Sequence, residues 1–192
     1  MNTLGSPDVH RAVSEAIAVL APHVEQDWEV RAGSLEWTCW QTAEHIAHDL
    51  LAYAGQLAAT PADGYLQFDL VVRPNASALD VLEVMRACAG LLCAALDSAP
   101  PDMRAWHFGP TDATGFAAMG MNEVYIHTWD ICQGLGLPWR PPADVCAAVL
   151  GRLRPDAPPG NPVDVLLWAT GRIRLDDDHP RQASWVFRIA VD

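Results

Sequence analysis

Apolar residues recur at helical spacing along most of the chain. Val9, Val13, Ile17, Leu20 and Val24 form one stripe and predict a first helix to about residue 26. Ser6 is its expected N-cap, with Pro7 at the first helical position, where a missing N–H costs nothing. A connection from Arg31 to Glu36 leads into a second amphipathic helix, about Thr38 to Ala59, stopped by the Pro61–Gly64 turn. Residues 65–72 read as a short strand or an ordered loop. Ser77 then opens a third helix, with Asp80 three positions on in a capping-box arrangement, and the apolar stripe from Leu79 to Leu96 carries it to Asp97. A fourth helix is expected from Thr114 to about Gly134, two shorter ones over 142–153 and 162–171, and a strand over the alternating tail 183–191.

No repeat interrupts this order. It reads as one mainly all-α domain spanning residues 1–192, an antiparallel four-helix bundle with short extra helices and a C-terminal strand.

Composition removes several classes of function. Of 192 residues, 24 are acidic and 12 basic, for a net charge of −12, and every basic residue is arginine. Such an acidic chain has no basic stripe for a phosphate backbone, so no nucleic-acid partner is expected. Without lysine there is no Schiff-base or Walker-type chemistry. No apolar run approaches the roughly 20 residues of a membrane span, so no membrane partner is expected either. Five cysteines without a C-x-x-C pair, and an N-terminus unlike a secretory signal, read as reduced thiols in a cytoplasmic protein. Homodimerisation is an expectation from the acidic surface and the eight tryptophans.

Candidate chemistry gathers on two helices. Glu123 and His127 are four apart and share a face with Phe116, Gly120, Ile131 and Gly134, which turns a carboxylate and an imidazole toward the apolar interior. A buried carboxylate needs a partner, and a divalent metal suits both groups. The second helix offers His45 and His48, flanked by Glu44 and Asp49. One histidine from it plus the Glu/His pair gives three ligands and an open fourth position, the arrangement of catalytic zinc. His48 and Glu44 form a second i, i+4 pair and allow a two-metal alternative, although the Glu-x-x-His spacing of di-iron bundles is missing.

His48 is otherwise a hydrogen-bond support for the ligands, a substrate contact or a surface residue. Asp130, three residues after His127, either orients an imidazole or serves as a cap or arginine partner. Trp37, Trp40, Trp129 and Trp168 are assigned to the core, Trp106 and Trp139 to loops at the mouth of the bundle, and His10, His23, His107 and His179 to the surface.

Trp37-Thr38 with His45 eight positions after the tryptophan, then Glu123-x-x-x-His127-Thr-Trp-Asp130 and Leu166-Leu-Trp-Ala-Thr-Gly-Arg172, together resemble the DinB-like superfamily. More narrowly, the chain is similar to the N-terminal domain of the actinobacterial mycothiol-dependent maleylpyruvate isomerases. The resemblance implies a four-helix bundle with one metal ion, usually zinc, held by His45, Glu123 and His127. It also implies a low-molecular-weight thiol, chiefly mycothiol, bound as thiolate for attack on a small electrophile. Those isomerases carry a separate C-terminal domain, whereas about 20 residues follow Arg172 here. Arg140, Arg172 and Arg174 are the candidates for contacting a thiol's carboxylate in its place.

The leading expectation is a metal-dependent thiol S-transferase or isomerase acting on a small electrophilic metabolite. The alternatives are a non-catalytic bundle that binds a small molecule, or a thiol-independent tailoring enzyme on the same fold.

Overall fold

The computed structural model describes residues 4–187 and 189–191. Its helices are α1 (Ser6–Leu20), α2 (Cys39–Ala59), α3 (Ala78–Ser98), α4 (Ala113–Gly134), α5 (Ala143–Leu153) and α6 (Pro162–Ala169). Two-residue strands β1 (Ala105–Trp106) and β2 (Pro110–Thr111) pair antiparallel between α3 and α4. Helices α1 and α2 each pack against both α3 and α4, which makes the four long helices a bundle; α5 lies on α4, and α6 on α5. Among the described residues no helix is long and apolar enough to cross a membrane.

Capping chemistry fixes the helix starts. Thr38 Oγ1 accepts the Gln41 N–H at 3.1 Å while Gln41 Oε1 accepts the Thr38 N–H at 2.9 Å, a reciprocal box that starts α2. Ser77 and Asp80 do the same for α3, and Asp112 Oδ1 accepts the Gly115 N–H to open α4. The expected cap of α1 is corrected. Gly5 is its N-cap residue, with its N–H donated to Asp8 at 3.0 Å, and the Ser6 hydroxyl reaches across to Asp97 at the end of α3. Helix α1 also ends at Leu20 rather than near residue 26. Pro22 lacks an N–H and crowds the carbonyl four residues back, so residues 21–23 tighten into a 3₁₀ turn.

Of the two readings open for residues 65–72 the structure takes the loop, and the strand expected in the tail is corrected. Residues 65–72 are a loop whose amides are satisfied by side chains of α2 instead of a ladder: Leu66 N–H donates to Gln56, Leu70 N–H to His48 and Val72 N–H to Glu44. The tail 183–191 contains no strand among its described residues. Its alternation reflects the burial of Phe187 and Ile189, and it is tied down by the Ile189 carbonyl accepting from Arg152 and the Val191 N–H donating to Pro110.

Helix α4 is the hub. It is buried on nearly every side, as befits a helix flanked by α1, α2 and α5. Its last residue, Gly134, passes so close to the 31–39 connection that a Cβ would collide with the Arg31 carbonyl and sit 2.6 Å from Cys39 Sγ. Gly134→Ala is therefore expected to destabilise the protein by about 1–3 kcal/mol through overpacking, read as a lowered urea midpoint. An unchanged midpoint would mean that the connection yields freely.

Candidate metal centre

Helix α4 carries Glu123 and His127 one above the other, and α2 presents His45 across the interface. Glu123 Oε2 lies 3.2 Å from His127 Nε2 and 3.9 Å from His45 Nε2. The two imidazoles stand edge to face with centroids 4.9 Å apart. One ligand atom from each of the three residues falls within 4.8 Å of the others. The side chains of His127, Glu123 and His45 are 8%, 13% and 28% exposed, so the cluster is shielded on the α4 side and open on the α2 side. Two imidazoles and one carboxylate at these separations match the donor chemistry and size of a divalent-cation site with an open position.

Behind His127 the polar groups continue. Its Nδ1 lies 3.1 Å from Asp130 Oδ2, which in turn accepts from Arg172 Nη2 at 2.6 Å and Nε at 3.2 Å. Asp130 is fully buried, and Arg172 nearly so, with its Nη1 donating to the Thr170 carbonyl at 2.7 Å. The Thr-Gly-Arg motif explains how the arginine gets inside. Helix α6 ends at Ala169, Gly171 turns the chain through the left-handed region at φ 70°, and the Arg172 N–H closes back on the Leu167 carbonyl. Arg172 is thus committed to Asp130. Arg140 pairs with Asp164 and Arg174 with Asp177.

Charge and burial set the protonation of the cluster. Burial pushes His45 down to about 4, reinforced by the neighbouring His127, so its ring is neutral near pH 7. Burial would lower His127 as well, but hydrogen bonds to Asp130 and Glu123 override it and raise the ring to about 9. Burial would raise Glu123 and Asp130, yet their histidine partners, joined at Asp130 by Arg172, hold both carboxylates below their usual range. A metal taken up by His127 must displace its proton. Affinity is accordingly expected to rise about tenfold per pH unit towards pH 9, measured by competition with a chromophoric chelator. A flat profile between pH 6.5 and 8.5 would contradict this linkage.

The other expected residues lie as follows. His48 Nδ1 accepts the Leu70 N–H at 3.1 Å and Glu44 Oε1 the Val72 N–H at 2.8 Å, so this second pair pins the 65–72 loop and does not join the triad. With His45, Trp37, Gln41 and Leu70, the pair lines a cavity of about 250 Å³ at the open side of the cluster.

Two assignments are corrected. Trp37 is 43% exposed rather than in the core, its ring 4.6 Å from that of His45, because the turn that returns the Ala32 N–H to the Trp37 carbonyl holds it at the rim. His107 is buried, not superficial, and is hydrogen-bonded to the Tyr65 hydroxyl at 2.5 Å.

Asp49 was visible only as a neighbour of His48. One turn beyond His45, it places Oδ2 3.5 Å from His45 Nε2, and burial with the nearby Glu123 charge raises it to about 8. Its partner Tyr53 is buried. The i, i+4 relation to His45 was the available signal. The five cysteines are all free, and burial pushes Cys39 to about 11 and Cys132 and Cys146 to about 12, so these three thiols are not nucleophiles near neutral pH.

No curated protein and no solved structure matches the chain. A family profile does, over residues 9–132, which takes in most of α1, all of α2 and α3 and nearly all of α4, including His45, Glu123 and His127. The chain therefore belongs to the mycothiol maleylpyruvate isomerase N-terminal domain family.

Proposed function

We propose that the chain is a metal-dependent thiol S-transferase or isomerase, in which His45, Glu123 and His127 hold a divalent cation, zinc, and mycothiol is the cosubstrate for a small electrophilic metabolite. The observation that carries this reading is the convergence of three ligand atoms within 4.8 Å, beside a cavity of about 250 Å³. When bound, such a cation lowers the pKa of a coordinated thiol and supplies a thiolate at neutral pH.

The protein's own residues do the rest. Asp130, anchored by Arg172, holds the His127 ring with Nδ1 turned inward and Nε2 toward Glu123. His45, neutral near pH 7, can bind a cation without first losing a proton. Trp37 and Leu70 give the cavity apolar walls that fit the body of a small substrate. The raised pKa values of Cys39, Cys132 and Cys146 favour a nucleophile from outside the chain.

The decisive experiment incubates zinc-loaded protein with mycothiol and a panel of electrophiles that includes maleylpyruvate, following loss of free thiol and of electrophile. Turnover that needs both zinc and thiol supports the reading. Turnover that persists after complete removal of thiol would replace it with a thiol-independent tailoring reaction. Saturable binding without any turnover would replace it with a binding module.

A further inference from the structure

We propose that Asn122 is a positioning residue for this centre, tying down one oxygen of Glu123 so that only the other is offered to the cation. The inference rests on the metal reading above. Asn122 immediately precedes Glu123 in α4 and is 3% exposed. Its Nδ2–H donates to Glu123 Oε1 at 3.2 Å, whereas Oε2 is the oxygen that faces Nε2 of His127 and of His45. A carboxylate with both oxygens free can clasp a cation through the pair. With Oε1 engaged by an amide, Glu123 is presented as a one-oxygen ligand, and coordination space is left for an incoming group.

A second observation shows that the amide is held in this orientation against its own interest. Asn122 Oδ1 is buried and has no hydrogen-bond partner among the described residues, a state that carries a desolvation penalty. Turning the amide over would not relieve it, because Oδ1 would then face Glu123 Oε1, acceptor against acceptor. The helical neighbours Ala118, Tyr125 and Ile126 are all buried, an environment in which leucine would pack without an orphaned oxygen. Packing alone gives no reason for an amide here, whereas the contact with Glu123 does.

The test uses the full chain loaded with zinc or with cobalt(II), whose visible spectrum reports coordination number. In Asn122→Leu and Asn122→Ala, with helix content and cooperative unfolding retained, zinc affinity is expected to fall about 10–100-fold, as for other residues that support metal ligands. The cobalt bands are expected to weaken and shift as Glu123 becomes bidentate. Thr128→Val, which removes the other buried side-chain oxygen lacking a partner among the described residues, is expected to change neither readout. Asn122 variants with parental affinity and parental cobalt spectrum overturn the inference alone. A parent protein that takes up neither ion overturns the metal reading and this inference with it.

Discussion

Protein purified without an affinity tag and carrying both His45→Ala and His127→Ala is expected to contain almost no zinc, against about one equivalent in the parent. A structural zinc contributes about 10–16 kcal/mol over four ligands, so each lost imidazole removes about 3 kcal/mol, more than 100-fold in affinity. Losing both leaves Glu123 as the last member of the cluster, and one carboxylate does not hold the ion through purification. Metal content by plasma mass spectrometry decides the matter. Because the double variant also strips a buried carboxylate of its partners, His127→Gln, which keeps a hydrogen-bonding side chain, is measured beside it with circular dichroism on both. A well-folded parent that is metal-free and does not bind added zinc would demote Glu123 and His127 to an internal polar pair.

The second large effect concerns stability. Asp130 is fully buried and its charge is balanced by Arg172, with three hydrogen bonds between the two side chains. Arg172→Leu retains much of the apolar bulk of the side chain but leaves that carboxylate facing only His127. Breaking one side of a buried pair costs about 3–5 kcal/mol, far more than an exposed pair would. The urea midpoint is expected to fall accordingly, and adding Asp130→Asn is expected to restore part of the loss, since the uncompensated charge is then gone. A loss under about 1 kcal/mol would show that His127 alone satisfies Asp130. The same variant leaves Asp130 unanchored behind the His127 ring, so its zinc affinity is expected to drop by about 10–100-fold.

How much of this was readable in advance follows from which forces are local. The stripes of α1 to α4, the cap at Ser77, and the shared face of Glu123 and His127 depend on residues three or four positions apart, and local spacing reports them. The pairing of α2 with α4 was legible because a buried carboxylate needs a partner and His45 was an available one. What escaped depends on contacts distant in sequence. His107 is buried because it packs against Tyr53 and Phe116 of the bundle and against Tyr65, 42 residues away, from the 65–72 loop. Trp37 is exposed because a local turn overrides the usual preference of indole for the interior. Ser6 does not cap α1 because Asp97, 91 residues on, accepts its hydroxyl proton. The contact of Asn122 with Glu123 joins sequence neighbours, yet adjacent helical residues point about 100° apart, so periodicity carried no hint of it.

Arg172 also bears on where this fold can be divided. All three candidate ligands lie inside the stretch that the family profile covers, which stops at Cys132, but the counter-ion of Asp130 arrives from beyond α6. A chain cut at residue 135 would keep every candidate ligand and lose the arginine that balances Asp130. The portion that ancestry marks and the portion that electroneutrality requires are different lengths of one polypeptide. For gene fusion, grafting or minimal-fragment work, the second of these sets the boundary.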